Sequence, residues 1–249
     1  MIARVLTADE LFWAAFTDLP RGAPGSEATT RLLLELAGPL PPTPRLVDIG
    51  CGAGPATLLL AQLTGGEIIA VDTHEPLLGR LRTAADEAGR GKQIRTLNAS
   101  MEDLPLPDGS ADVVWAEGSV YVMGFDAALS AWRRLLAPGG VLVLTEAEWT
   151  TPEPAAVARA FWNPAYPAMR TTAGNVAAAQ DAGWTVAAVY LLPDRDWDVY
   201  YRPLAARLGQ LRARYPEHVG DLDDLGAEID IRAAHGGDYG YTGYILRPR

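Results

Sequence analysis

Apolar residues fall along this chain in short, nearly continuous runs set between helical patterns, the arrangement expected of strands buried on both faces of a sheet. Leu46–Ile49, Glu67–Asp72, Ala111–Trp115, Val141–Thr145 and Trp184–Leu192 read as such strands, and Tyr239–Leu246, with alternating tyrosines, reads as the last. Helices are expected from Pro55, up to Ala137 and over Thr172–Ala182. Strands alternating with helices predict an α/β domain with a largely parallel sheet.

Three segments fall outside that alternation. Residues 1–44 read as two helices, Thr7–Asp18 and Ser26–Gly38, with Ser26 at an N-cap and PRGAPGS between them. Residues 151–170 are rich in proline and aromatic side chains. The stretch 193–238 is helical in pattern and too long for a hairpin loop, so it is expected to be an insertion capping the active-site edge. The expected organisation is one domain over 1–249: an N-terminal helical cap (1–44), a core (45–192 and 239–249) and the helical insertion (193–238).

The segment LVDIGCGAGPAT, Leu46–Thr57, carries the first functional signal. A strand runs into Gly50, Gly52 and Gly54, which let bare backbone approach a ligand, and Pro55 suits the first helical position. This is a nucleotide-type site at the carboxyl edge of a sheet. Counting from Gly50 or Gly52 fails to give the third glycine of a dinucleotide fingerprint. A phosphate-binding P-loop needs a lysine, and the only one is Lys92. Asp72 ends the second strand, where an acid can accept from both ribose hydroxyls.

The remaining pattern, D-x-G-x-G-x-G, resembles the first motif of the class I S-adenosylmethionine-dependent methyltransferases. So do the segment Asn98–Tyr121, which leads through the fourth strand, and L-x-P-G-G-x-L before the fifth. The GAPGS loop, WAEGSVYVMGF, E-x-x-W, FW-N-x-x-YP and terminal YGYT resemble a small bacterial group of methyltransferase-fold proteins of unassigned substrate. The resemblance implies a three-layer αβα Rossmann-like fold, with a seven-stranded, mostly parallel sheet, an antiparallel last strand and helical cap elements.

It also implies S-adenosyl-L-methionine as cofactor and S-adenosyl-L-homocysteine as product. Asp48 would face the methionine amino group, and Gly50, Cys51, Gly52 and Gly54 would admit the methionine part. Asp72 would take the ribose, with Thr73 and His74 along the adenine edge. Ser100, where many relatives carry an acid, and the backbone of Met101 would meet the adenine, and Glu117 the amine end.

Composition narrows the partners. At 249 residues and 49% apolar, the chain can bury a full core without metal or disulfide staples, and no metal site is expected. One cysteine excludes an internal disulfide and fits a reducing compartment. No leader or long apolar run is evident, so a soluble cytoplasmic protein without membrane or nucleic-acid partners is expected. A net charge of −10 disfavours a nucleic-acid substrate, and Arg207–Arg214 reads as a solvated helix face. Monomer and homodimer both stay open.

A sulfonium methyl is already electrophilic, so alignment of the acceptor is the main requirement, and a base is needed only when the acceptor must lose a proton. Candidate catalytic groups are Glu117 and Glu146, each at a strand end, and Tyr121. Each carboxylate reads equally well as a base or anchor and as a partner of a nearby loop. Trp13, Tyr121, Trp149 and Tyr200 are candidate walls of the substrate pocket. The expected activity is methylation of an O, N or C atom of a small neutral or cationic metabolite. A sensor or structural protein that binds the cofactor without turnover is the alternative.

Overall fold

The computed structural model describes residues 6–249; residues 1–5 of the expected N-terminal cap lie outside the described part. In chain order the elements are α1 (Ala8–Phe16), α2 (Glu27–Leu36), β1 (Arg45–Ile49), α3 (Pro55–Thr64), β2 (Glu67–Asp72), α4 (Glu75–Glu87), β3 (Ile94–Asn98) and β4 (Ala111–Ala116). There follow α5 (Phe125–Trp132), β5 (Leu136–Trp149), α6 (Ala156–Trp162), α7 (Thr172–Asp181), β6 (Trp184–Leu191), α8 (Asp194–Arg214), α9 (Val219–His235) and β7 (Tyr239–Pro248).

The strands form one seven-stranded sheet in the order β3-β2-β1-β4-β5-β7-β6. Only β7 runs antiparallel to its neighbours, pairing Glu146 with Thr242 and Trp149 with Tyr239. The order reverses between β1 and β4, so their carboxyl ends open a crevice there. Successive residues of a strand face opposite sides, and β4 divides accordingly. Val113 and Trp115 pack with α2, α3 and α4, while Val114 and Ala116 pack with α5 and α7. Full burial of Trp115 and Trp132 contributes on the order of 1.5–3 kcal/mol each.

A third apolar cluster joins α1, α6, α8 and α9 over the ends of β5 and β7. It is built largely from aromatic rings, among them Trp197, Tyr239 and Tyr241. Ser26 caps α2 by accepting from the Thr29 amide at 3.2 Å. The strand expected over Val141–Thr145 runs through Trp149, because β7 supplies hydrogen-bonding partners that far. β3, between α4 and β4, was missed because Ile94–Asn98 alternates weakly and lies only partly buried.

Arg207 and Arg212 depart from the solvated face read from their spacing. Arg207 Nε donates to the Ala14 carbonyl at 2.8 Å, and Arg212 pairs with Asp223 at 2.8 Å, so they tie α8 to α1 and α9. Among the described residues no helix is long and apolar enough to cross a membrane.

Candidate active site

The glycine turn after β1 is fixed from both sides. Gly50 and Cys51 amides donate to the Val71 carbonyl at 2.8 and 3.0 Å, and the Gly52 amide donates to Asp72 Oδ2 at 2.9 Å. The other Asp72 oxygen, Oδ1, accepts from the His74 amide at 2.8 Å. Each carboxylate oxygen accepts one of these bonds and keeps capacity for a second.

The glycines serve different ends. All have positive φ, 73° at Gly50, 56° at Gly52 and 78° at Gly54. A Cβ at Gly50 would collide with Ser119, and one at Gly54 with Leu81. Only at Gly52 would it meet open space. Gly54 therefore serves the packing of α3 on α4; it lies off the cavity lining, contrary to the ligand contact expected of it.

A cavity of about 430 Å³ lies over this turn. Its lining gathers Trp13, Asp48, Gly50, Cys51, Gly52 and Asp72, together with Thr73, Ser100, Met101, Glu117 and Tyr121. These come from α1 and from the ends of four strands and their loops. A volume of this order suits a nucleoside-sized ligand. Asp48 is buried, and Thr57 donates to it at 2.5 Å; burial pushes its pKa up to about 7, with Thr57 and Arg21 pulling down and Glu117 and Asp72 pushing up. Burial likewise raises the Cys51 thiol, which removes it as a nucleophile.

Where the adenine contact is expected, Ser100 Oγ accepts from the Glu102 amide at 3.2 Å and the Met101 carbonyl from Trp132 Nε1 at 3.0 Å. The Met101 carbonyl is thereby committed to Trp132. His74 stacks on Trp13 with ring centroids 3.3 Å apart, which joins α1 to the start of α4 beside the cavity.

Glu117 is an anchor by geometry. Arg21 donates to Oε2 at 2.8 Å, and Thr30 and Trp115 donate to Oε1 at 2.7 and 3.0 Å. With its charge and oxygens so engaged, the carboxylate is poorly placed to take a substrate proton. Arg21 and Thr30 are not legible in the sequence, since a pairing with a residue far along the chain leaves no local signal. Ser119 was missed likewise; its hydroxyl donates to the Ile49 carbonyl at 2.8 Å and braces the turn.

Glu146 and Trp149 line neither this cavity nor the smaller chamber next to it. Trp149 packs in the aromatic cluster, its amide donating to the Arg170 carbonyl at 2.8 Å. Glu146 is 1% exposed, and neither of its oxygens has a well-formed hydrogen bond. Burial pushes its pKa up to about 8, against the pull of Tyr166 and the Ala147 amide. The sheet end thus carries a protonated acid beneath the surface near neutral pH. Its neighbour Glu148 is fully buried but satisfied, accepting from Thr172, Asn175, Thr242 and Tyr244. Tyr200 and Tyr121 both line the smaller chamber. Among the described residues, no three His, Cys, Asp or Glu side chains are grouped to hold a metal ion.

Residues 47–144, which hold the glycine turn and the strands around the crevice, match the methyltransferase domain family. Residues 47–144 form a methyltransferase domain. Within it, dimethylglycine N-methyltransferase of Parasynechococcus marenigrum is 37% identical over 125 residues, 50% of this chain and 45% of that protein. Demethylmenaquinone methyltransferase of Thermus thermophilus is 36% identical over 104 residues, 41% of this chain and 46% of that protein. The matched stretch thus spans a little under half of either relative.

The methyltransferase fold extends beyond that stretch. An S-adenosylmethionine-dependent methyltransferase of Geobacter sulfurreducens, crystallised with S-adenosyl-L-homocysteine, superposes with a TM-score of 0.85 at 18% identity. The match covers 96% of this chain and 98% of that one, so the caps around the methyltransferase domain belong to the shared architecture.

Proposed function

We propose that this chain transfers a methyl group from S-adenosyl-L-methionine to an oxygen, nitrogen or carbon atom of a small molecule, by in-line displacement. The observation that carries this reading is the facing pair at the crevice, the open side of Gly52 and the Asp72 carboxylate held by two backbone amides. Gly52 admits a ligand chain against the backbone, and Asp72 accepts the two ribose hydroxyls. Asp48 and the turn border the methionine end, while Thr73, Ser100 and the backbone of Met101 border the base. Bound there, S-adenosylmethionine supplies a methyl group already activated on a sulfonium.

The protein's own part is alignment and exclusion of water. Holding two reactants in line contributes about 7–11 kcal/mol when the geometry is productive. Glu117, locked by Arg21, Thr30 and Trp115, fixes the loop at the end of β4 and the 20–26 loop above it. Trp13 and Tyr121 close the sides. The acidic balance of the chain, net charge −10, favours a small acceptor over a nucleic acid.

The test is incubation with S-adenosylmethionine and a panel of amines, alcohols, phenols and activated carbon acids, read by mass spectrometry. A product heavier by one methylene, formed together with S-adenosylhomocysteine, supports the reading. Cofactor binding with no product across the panel supports instead a protein that binds without turnover.

A further inference from the structure

Beside the cofactor cavity lies a second chamber of about 110 Å³, and the two share Tyr121 and the Gly22–Pro24 loop as a wall. Its other walls are mainly aromatic: Tyr166 after α6, Trp197, Tyr200 and Tyr201 on α8, and Tyr241 on β7. One carboxylate, Glu228 of α9, stands among them. Tyr200 Oη donates to Glu228 Oε1 at 2.8 Å. Burial raises the Glu228 pKa against the pull of that bond, and among the described residues no Arg, Lys or His side chain pairs with it. Arg232, one turn further along α9, is committed elsewhere: it pairs with Asp194 at 2.7 Å, donates to the Tyr239 carbonyl at 2.7 Å and covers one face of Trp197 at 4.0 Å.

Aromatic side chains gathered around a buried carboxylate that no described cation pairs with are the chemistry that recognises an alkylammonium ion. The rings attract the cation and cover its methyl groups, and the ion supplies the charge that Glu228 lacks. An anion of the same size would be repelled. A neutral molecule would leave the carboxylate uncompensated. A chamber of about 110 Å³ suits a headgroup of a few carbons.

We propose that this chamber holds the methyl acceptor, and that the acceptor is a small alkylated amine bound as its ammonium against Glu228. The proposal rests on the methyltransferase reading above. The acceptor nitrogen leaves its proton on Glu228 and offers its lone pair to the methyl carbon. The carbon–sulfur bonding pair returns to sulfur, so a more methylated ammonium and a neutral thioether result. Glu228 is then a catalytic residue, and Tyr200 positions it.

The experiment is calorimetric titration of the full chain with choline and with its neutral isostere 3,3-dimethylbutan-1-ol, each alone and after saturation with S-adenosylhomocysteine. Choline is expected to bind at least tenfold tighter than the isostere. Glu228→Gln is expected to abolish that preference while leaving S-adenosylhomocysteine binding intact, which also shows that the variant is folded. Tyr121→Leu, which removes one ring from an exposed wall, is expected to weaken choline severalfold. Equal affinity for choline and the isostere, or an undiminished preference in Glu228→Gln, overturns the proposal. Choline binding without any binding of S-adenosylhomocysteine leaves the ammonium site standing and overturns the methyltransferase reading.

Discussion

Arg21 Nη1 donates to Glu117 Oε2 at 2.8 Å across 96 residues of sequence, and both side chains are more than nine-tenths buried. The pair ties the loop between α1 and α2 to the end of β4. Arg21 also donates to Thr30, which in turn donates to the other Glu117 oxygen, so the ring of contacts is closed.

Removing the cation leaves a buried carboxylate without its countercharge. Arg21→Ala is therefore expected to lower stability by about 3–5 kcal/mol, the range for breaking one side of a buried pair. Arg21→Lys recovers part of the loss. Urea unfolding checks this; a loss under about 1 kcal/mol, the value of an exposed pair, would show that water reaches Glu117.

The glycines at 50 and 52 differ in what their missing side chains allow. Gly50→Ala drives a methyl group into Ser119 and is expected to lower the melting temperature substantially. Gly52→Ala meets no protein atom and costs only the backbone strain of φ 56°, about 1–2 kcal/mol. With the cofactor bound as proposed above, its methyl group stands in the ligand's path, so the folded variant is expected to lose S-adenosylhomocysteine affinity more than tenfold. Thermal unfolding and calorimetry separate the two effects; unaltered affinity in Gly52→Ala would place the ligand elsewhere.

The turn, the acid at 72 and the strand alternation are local patterns, so they announce the crevice. Gly54 belongs to the same pattern, yet its partner is Leu81, far away in sequence, and no spacing rule separates a glycine that admits a ligand from one that admits a helix. Arg21 and Ser119 reach the crevice, and Glu228 the adjoining chamber, only through tertiary contacts. Glu146, expected at the end of the fifth strand, lies inside β5, which continues to Trp149 because β7 pairs with it that far, and it lines neither cavity.

Three buried carboxyls, Asp48, Glu146 and Glu228, all raised by burial, set a pH dependence of stability. Burial pushes Asp48 up to about 7 and Glu146 up to about 8, whereas unfolded carboxyls titrate near 4. Between those limits the folded chain holds protons that the unfolded chain has lost. Stability is thus fully present below about pH 4 and falls as the pH rises towards about 8, by an amount on the order of a few kcal/mol. Asp112 and Asp126 act in the opposite sense only at lower pH, because Arg45 and Arg170 hold them below the usual carboxylate range. Glu146→Gln is expected to flatten the fall and to raise the urea midpoint above wild type at pH 8. A wild-type midpoint unchanged between pH 5 and 8 would contradict this.

The most direct measurement is calorimetric titration of wild type and Asp72→Ala with S-adenosylhomocysteine, with NAD as control ligand. Wild type is expected to bind one S-adenosylhomocysteine per chain and no NAD, and Asp72→Ala to bind more weakly by about 1–3 kcal/mol, the cost of unmade hydrogen bonds to the ribose. Absence of binding to wild type, or equal affinity in Asp72→Ala, would contradict the assignment of this crevice to S-adenosylmethionine.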